Sequence, residues 1–133
     1  MNVQHEKVRE FHDKFGVPHA DKPVVMSAQR RTERYLYMSE ELNEFDEAET
    51  VVDQADAMID LIYLALGTLV EIGVKPTALF DIVHDANMSK VWPDGTVHYD
   101  PITNKVVKPP TFIRPEPLLQ AEIDRQMSEV NAQ

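Results

Sequence analysis

Residues Ala57–Val70 read AMIDLIYLALGTLV, and this stretch decides the fold. Wound as a helix, it is apolar on almost every face, which predicts burial on most sides. Asp60 is its only charge. At 14 residues it falls short of the roughly 18 to 20 that a membrane span requires. It therefore reads as the central helix of a helical bundle. Thr50 is an expected N-cap for this helix, and Gly73 an expected stop, giving a span of 51–72.

Working outward, Ser27 caps a preceding helix that runs to about Glu49, with Tyr35, Met38, Leu42 and Phe45 as its apolar stripe. Upstream, residues 2–15 form a first helix. Gln4, Val8, Phe11 and Phe15 share its face, and Gly16-Val17-Pro18 ends it. His19 to Val25 is the connecting loop. Downstream, Lys75-Pro76-Thr77 opens a fourth helix, with proline where a helix tolerates it. Leu79, Ile82, Val83 and Ala86 give its stripe, and it ends near Asn87-Met88-Ser89-Lys90.

Beyond Trp92-Pro93 the texture changes. Thr96-Val97-His98-Tyr99 and Lys105-Val106-Val107 flank a turn-rich Asp100-Pro101-Ile102-Thr103-Asn104, the pattern of a small hairpin, with an irregular loop as the alternative. Pro109, Pro110, Pro115 and Pro117 keep the neighbouring chain extended. Leu119, Ile123, Met127 and Val130 mark a last amphipathic helix, suited to docking on a partner subunit. The expectation is an all-α, oligomeric, antiparallel bundle of four to five helices. It forms one domain over residues 1–133, with an extended C-terminal arm from about residue 91 and a small β-hairpin in that arm.

Composition narrows the function. The 133 residues suffice for one domain with a core, and 43% hydrophobic residues provide it. A net charge of −10 argues against nucleic acid as a partner, because phosphate backbones are bound by Lys and Arg. No cysteine is present, which excludes disulfides and thiolate metal sites. The N-terminal MNVQHEKVREFHDK lacks the apolar stretch of a signal peptide, so a cytoplasmic location without membrane insertion is expected.

The placement of the acids says more than their number. Glu40-Glu41-Leu42-Asn43-Glu44 lies on the second helix. Glu40 and Glu44 project about 40° apart, and Glu41 and Glu44 about 60° apart. On the third helix, Asp53, Asp56 and Asp60 fall within about 60° of one another. A short turn joins the helices, so they are expected to pack antiparallel with the two rows facing. Like charges at this spacing repel, and an unpaired buried carboxylate must protonate or find a partner. Arg30, Arg31 and Arg34 could supply that partner. So could a divalent cation, since Mg²⁺ is held by one or two carboxylates together with water and phosphates. Taken alone, Glu40–Glu44 reads more readily as a solvated face.

These motifs resemble those of the MazG-like all-α nucleoside triphosphate pyrophosphohydrolases, with their dimeric dUTPase and phosphoribosyl-ATP pyrophosphohydrolase relatives. Glu41-Leu42-Asn43-Glu44 matches the family's ExxE. Asp53-Gln54-Ala55-Asp56 matches its ExxD, with Asp at the leading position. The segment from Ala57 to Tyr63, with Gly67, resembles the family segment just after ExxD. His84 with Asn87-Met88-Ser89-Lys90 resembles a subgroup's HxxNMSK signature, and Asp94-Gly95 and Lys108-Pro109-Pro110 resemble its tail.

The resemblance implies hydrolysis of a nucleoside triphosphate to the monophosphate and pyrophosphate, with dUTP or another dNTP as the leading substrate. It implies Mg²⁺, with Mn²⁺ as a substitute. Glu41, Glu44 and Asp56 would be the ligands, completed by Asp53, Asp60 or Glu40. Glu40 or Glu41 would serve as general base. Lys90 and Asn87 would contact substrate, as would Arg34 unless it forms a surface ion pair with Glu33. A homodimer or homotetramer is implied as well. His84 is read as a packing residue, and Trp92 and Tyr99 as packing residues that could stack on a base. Two other readings stand beside this one. The first is a non-enzymatic helical dimerisation or nucleotide-binding module. The second is a di-iron bundle, for which only Asp81-Ile82-Val83-His84 approaches Glu-x-x-His.

Overall fold

A computed structural model describes the backbone of residues 1–132 and the side chains of residues 1–129. Five helices account for its regular structure: α1 (Asn2–Phe15), α2 (Ala28–Glu47), α3 (Val51–Glu71), α4 (Thr77–Met88) and α5 (Glu116–Ala132). The all-α expectation holds, and helix ends fall where their capping chemistry requires. The Ser27 side chain accepts from the Arg30 N–H, and that of Thr50 from the Asp53 N–H. Gly16 ends α1 in the left-handed conformation at φ 69°. Gly73 does the same after α3 at φ 70°, where a Cβ would lie 2.1 Å from the Lys22 carbonyl oxygen.

The chain divides into two compact units. The first contains residues 1–76 and the last turns of α5 from Gln126. Here α3 packs against both α1 and α2. Val8, Leu66 and Val70 form the core, with Leu69 against them. The pairing of α2 with α3 is antiparallel: Arg30 meets Glu71, Arg34 meets Leu64 and Thr68, and Gln54 donates to the Ala48 carbonyl. Gly67 permits the closest part of this packing. A Cβ there would lie 2.5 Å from Arg34 Nη2 and 2.9 Å from His12 Nε2, so α1 and α2 meet over a position that only glycine leaves open. The 17–25 loop crosses the end of α3, with Ala20 N–H donating to Val70 O and Val24 N–H to Ile72 O. Gln126 clasps the Lys75 backbone through both ends of its amide.

One expectation fails here. The apolar α3 is not buried on most sides. Ile59 is 61% exposed and Ile62 47%, and Val51 and Val52 are exposed more still. Among the described residues α1 and α2 are the helices packed most closely on α3, and its C-terminal half is the better covered.

The second unit contains residues 77–125. Its expected hairpin reduces to a single antiparallel bridge, Tyr99 to Val106. The turn forms as expected: Asp100 Oδ1 accepts from the N–H groups of Ile102 and Thr103, Asn104 sits at φ 58°, and the N–H groups of Asp100 and Val107 donate across to Lys105 O and His98 O. Pro109 and Pro110 then lack N–H groups altogether. In α5, Leu119, Ile123 and Met127 are half-buried as the stripe predicts, and the side chain of Val130 lies outside the described residues.

Candidate metal and substrate site

Between Tyr35 and Val74 the chain holds ten Asp and Glu residues and no Lys or Arg. The antiparallel hairpin gathers most of these acids at one end. Glu44, Glu47, Asp53 and Asp56 line a cavity of about 270 Å³ with Ala48. Deeper along the helices, Glu41 is the residue most affected. Its Oε2 is sealed from solvent and has no hydrogen-bond partner. Desolvation, first of all, raises its pKa above the ordinary carboxylate value, and then the hydrogen bond and charge of Glu44 and the charges of Asp60 and Asp56. Four of the acids singled out from the sequence therefore act on one another, two from each helix. Asp53 joins Glu44 and Asp56 at the cavity. Glu40 is exposed.

The arginines that could have neutralised these aspartates are used elsewhere. Glu71, at the other end of the hairpin, binds Arg30 Nε at 2.8 Å and Arg34 Nε at 3.2 Å. Arg30 also bonds Glu33, and Arg31 is exposed. Asp53, Asp56 and Asp60 form no ion pair among the described residues. The surface pairing of Arg34 with Glu33 is corrected too, since Arg30 makes that contact. Arg34 is buried, donating to Leu64 O at 2.7 Å and Thr68 Oγ1 at 3.1 Å. Burial lowers its pKa. Its donors face the interior of the hairpin, and nothing in the sequence of α2 marks this inward turn except the glycine opposite at position 67.

A divalent cation fits the donor chemistry of the acidic end. The donors are hard oxygens, one is an orphaned buried atom, and no cation lies within the surrounding forty residues. Among the described residues no three acids or histidines close into a cage. Mg²⁺ does not demand one, because it retains waters and takes phosphate oxygens alongside one or two carboxylates.

In the second unit Asn87 and Lys90 share a cleft of about 470 Å³. The arm brings Lys108, Phe112 and Arg114 to the same cleft, three residues that the sequence pattern alone did not assign to a site. Their signal was present in Lys108-Pro109-Pro110-Thr111-Phe112-Ile113-Arg114, cations around an aromatic ring on a proline-stiffened segment. Trp92 packs on His98 with ring centroids 4.4 Å apart and donates to Val107 O, while Tyr99 is exposed. His84 is exposed.

Known proteins resemble this chain in two ways. The model of the phosphoribosyl-ATP pyrophosphohydrolase family matches residues 8–87, which include the whole acidic hairpin. The crystal structure of a provisionally named NTP pyrophosphohydrolase from Exiguobacterium sp. 255-15 is similar over 95% of this chain and 96% of that one, at 31% identity and a TM-score of 0.57. A search of curated proteins gives no match.

Proposed function

The chain belongs to the phosphoribosyl-ATP pyrophosphohydrolase family, and on that premise we propose that it is a pyrophosphohydrolase that cleaves a nucleoside triphosphate to the monophosphate and pyrophosphate. The carrying observation is Glu41, a half-buried carboxylate whose sealed Oε2 has no hydrogen-bond partner and which feels the charges of Glu44, Asp60 and Asp56. Such a group is tolerable at neutral pH once a cation occupies the row. Glu41, Glu44 and Asp56 would hold Mg²⁺, with Asp60 and Asp53 beside them and Mn²⁺ as a substitute. When bound, the ion supplies neutralisation of phosphate charge and a more acidic water. Glu40, exposed and adjacent in sequence to Glu41, would accept the proton of the attacking water. Asn87 and Lys90 contact the substrate. Arg34 supports the site indirectly, by fixing α2 to α3.

The bare face of α3 supports an oligomer. Ile59, Ile62 and Tyr63, with Leu42 and Phe45 on α2, expose more large apolar surface than a free-standing helix pair should. A second copy of the chain covering this face would give α3 the burial its composition demands. A homodimer is the smallest assembly that does so.

The direct test is incubation with Mg²⁺ and a panel of NTPs and dNTPs, reading released pyrophosphate. Pyrophosphate from one favoured base, with dUTP the first candidate, is the expected result. Release of orthophosphate alone would overturn the cleavage position.

A further inference from the structure

We propose that the peptide joining Val74 to Lys75 is a proton-sensitive latch that holds the last turns of α5 on the first unit, with His5 as the group that releases it. The latch uses none of the residues assigned to metal or substrate.

It is built from three segments of the first unit: α1, the 74–76 linker and the end of α5 from Gln126. His5 is 8% exposed, and its ring bonds the Val74 backbone. The Val74 N–H is already given to Leu69 O, so the ring donates to the Val74 carbonyl. Its Nε2 is sealed from solvent and has no hydrogen-bond partner, so the donor is Nδ1. The ring held this way is neutral. From the other side, Gln126 Oε1 accepts from the Lys75 N–H at 2.9 Å, and Gln126 Nε2 donates to Lys75 O at 3.0 Å.

The Val74 carbonyl and the Lys75 N–H belong to one planar trans peptide and point to opposite sides of it. One peptide is thus gripped by α1 through its oxygen and by α5 through its nitrogen. Hydrogen bonds joined in such a chain polarise one another, so losing one weakens the next. Val74, Pro76 and Gln126 are buried. Among the described residues the closest helix packing is that of α2 and α1 on α3, which leaves the end of α5 dependent on this clasp.

Protonation is incompatible with the clasp. It adds an N–H at the sealed Nε2, which has no acceptor, and a charge beside Arg9 and Lys75. The acids around the junction do not compensate. Glu6 on α1 favours the charge but is exposed, and Asp21 on the 17–25 loop bonds Arg9. Glu71 on α3 is held by Arg30 and Arg34. On α5, Glu122 pairs with Arg125, and Glu129 follows Gln126 by about one turn. Burial, above all, therefore lowers the His5 pKa, with Arg9 and Lys75 adding to it and Glu6 and the Val74 bond opposing. The charged ring must swing to solvent, and the Val74 carbonyl then loses its donor. The undocked chain takes up the proton near the ordinary value of 6.5, and the docked chain only below it. Docking is thus complete above 6.5 and weakens progressively as pH falls.

The chain has no cysteine, so Ser128→Cys places a single spin label on the exposed side of α5. Thr32→Cys, exposed on α2, gives a separate reporter of the whole fold. Each labelled full chain is followed by electron paramagnetic resonance in EDTA from about pH 8 to about pH 5. The label at position 128 should be held at the upper end. Its ratio of mobile to held signal should then rise by up to about tenfold per pH unit below 6.5, the limit for one proton. The label at position 32 should not change. His5→Asn keeps a donor for Val74 O but does not titrate in this range, so its label at 128 should stay held throughout. Gln126→Ala should show the mobile signal at both ends of the range. A parent chain without the transition, the parental transition in His5→Asn, a held label in Gln126→Ala, or both labels loosening together would overturn the latch.

Discussion

Glu71, a buried carboxylate, and Glu41, half-buried with one oxygen sealed from solvent, lie at opposite ends of one helical hairpin, and the chain treats them in opposite ways. Glu71 meets two guanidiniums, and Arg34 is nearly as buried as the carboxylate it binds. Glu41 meets three further carboxylates and no cation. The first arrangement is complete within the chain. The second is electrostatically unfinished, at a cost that folding alone gives no reason to bear. The contrast separates a completed ion pair from a row of acids that lacks a counterion, without reference to any motif. It also says what each end should do when its charges are removed.

The largest effect should come from the unfinished end. Glu44→Gln and Asp56→Asn should each lower turnover by more than about 100-fold, beyond the 10- to 100-fold typical of residues that merely support a metal ligand. In EDTA the same variants should melt no lower than the parent, because each relieves repulsion between like charges. Melting curves with and without Mg²⁺, alongside the turnover assay, check both halves. Near-normal turnover would mean that the acidic end is only a solvated surface.

The finished end should show the reverse. Glu71→Ala leaves Arg34 buried without its counterion, a loss of about 3–5 kcal/mol in comparable buried pairs. Urea unfolding should register it with or without Mg²⁺. Folded Glu71→Ala protein should bind Mg²⁺ as the parent does. A variant that unfolds normally would erase the distinction between the two ends.

Much of this hairpin was legible in the sequence. Helical spacing aligned Glu41 with Glu44 and Asp56 with Asp60, and the short Ala48–Thr50 turn left antiparallel packing as the natural arrangement. Ser27, Thr50, Gly16 and Gly73 marked helix ends because capping depends on adjacent residues only. Features that depended on distant contacts were harder to read. Arg34 looks like a surface cation on α2, since its inward turn is permitted by Gly67, over thirty residues away. The uniformly apolar stretch of α3 signals burial, but not whether the covering surface comes from the same chain. The expected hairpin stops at one bridge beside its turn, and Pro109 and Pro110 offer no N–H to extend it. The cationic cleft was missed for a similar reason. Lys90 and Arg114 are brought together by a hydrogen bond from Ile113 to Ser89, which no periodicity encodes.

A smaller effect sharpens the comparison through pH. His12 lies against the finished end, with its Nδ1 at 2.8 Å from the Pro18 carbonyl and its Nε2 over Gly67. A carbonyl only accepts, so Nδ1 carries the proton and the neutral ring already satisfies its bond. Burial, above all, lowers the His12 pKa; Arg34 and His19 push it the same way, while the Pro18 bond and Glu71 oppose them. Burial likewise lowers that of His5, helped by Arg9 and Lys75 and opposed by Glu6 and the Val74 backbone. In the unfolded chain each imidazole takes a proton as pH falls through its ordinary value of 6.5, while the folded chain resists. The unfolded state then binds more protons, so stability drops with falling pH. This contribution is complete above 6.5 and is lost progressively below it, down to the depressed native values. Melting temperature in EDTA should therefore be lower about one unit below 6.5 than about one unit above it. The difference should shrink in His12→Gln and persist in Glu44→Gln. An unchanged difference in His12→Gln would move the pH sensitivity to His5, because the acidic row, whose mutual repulsion protonation relieves, would stabilise the fold as pH falls.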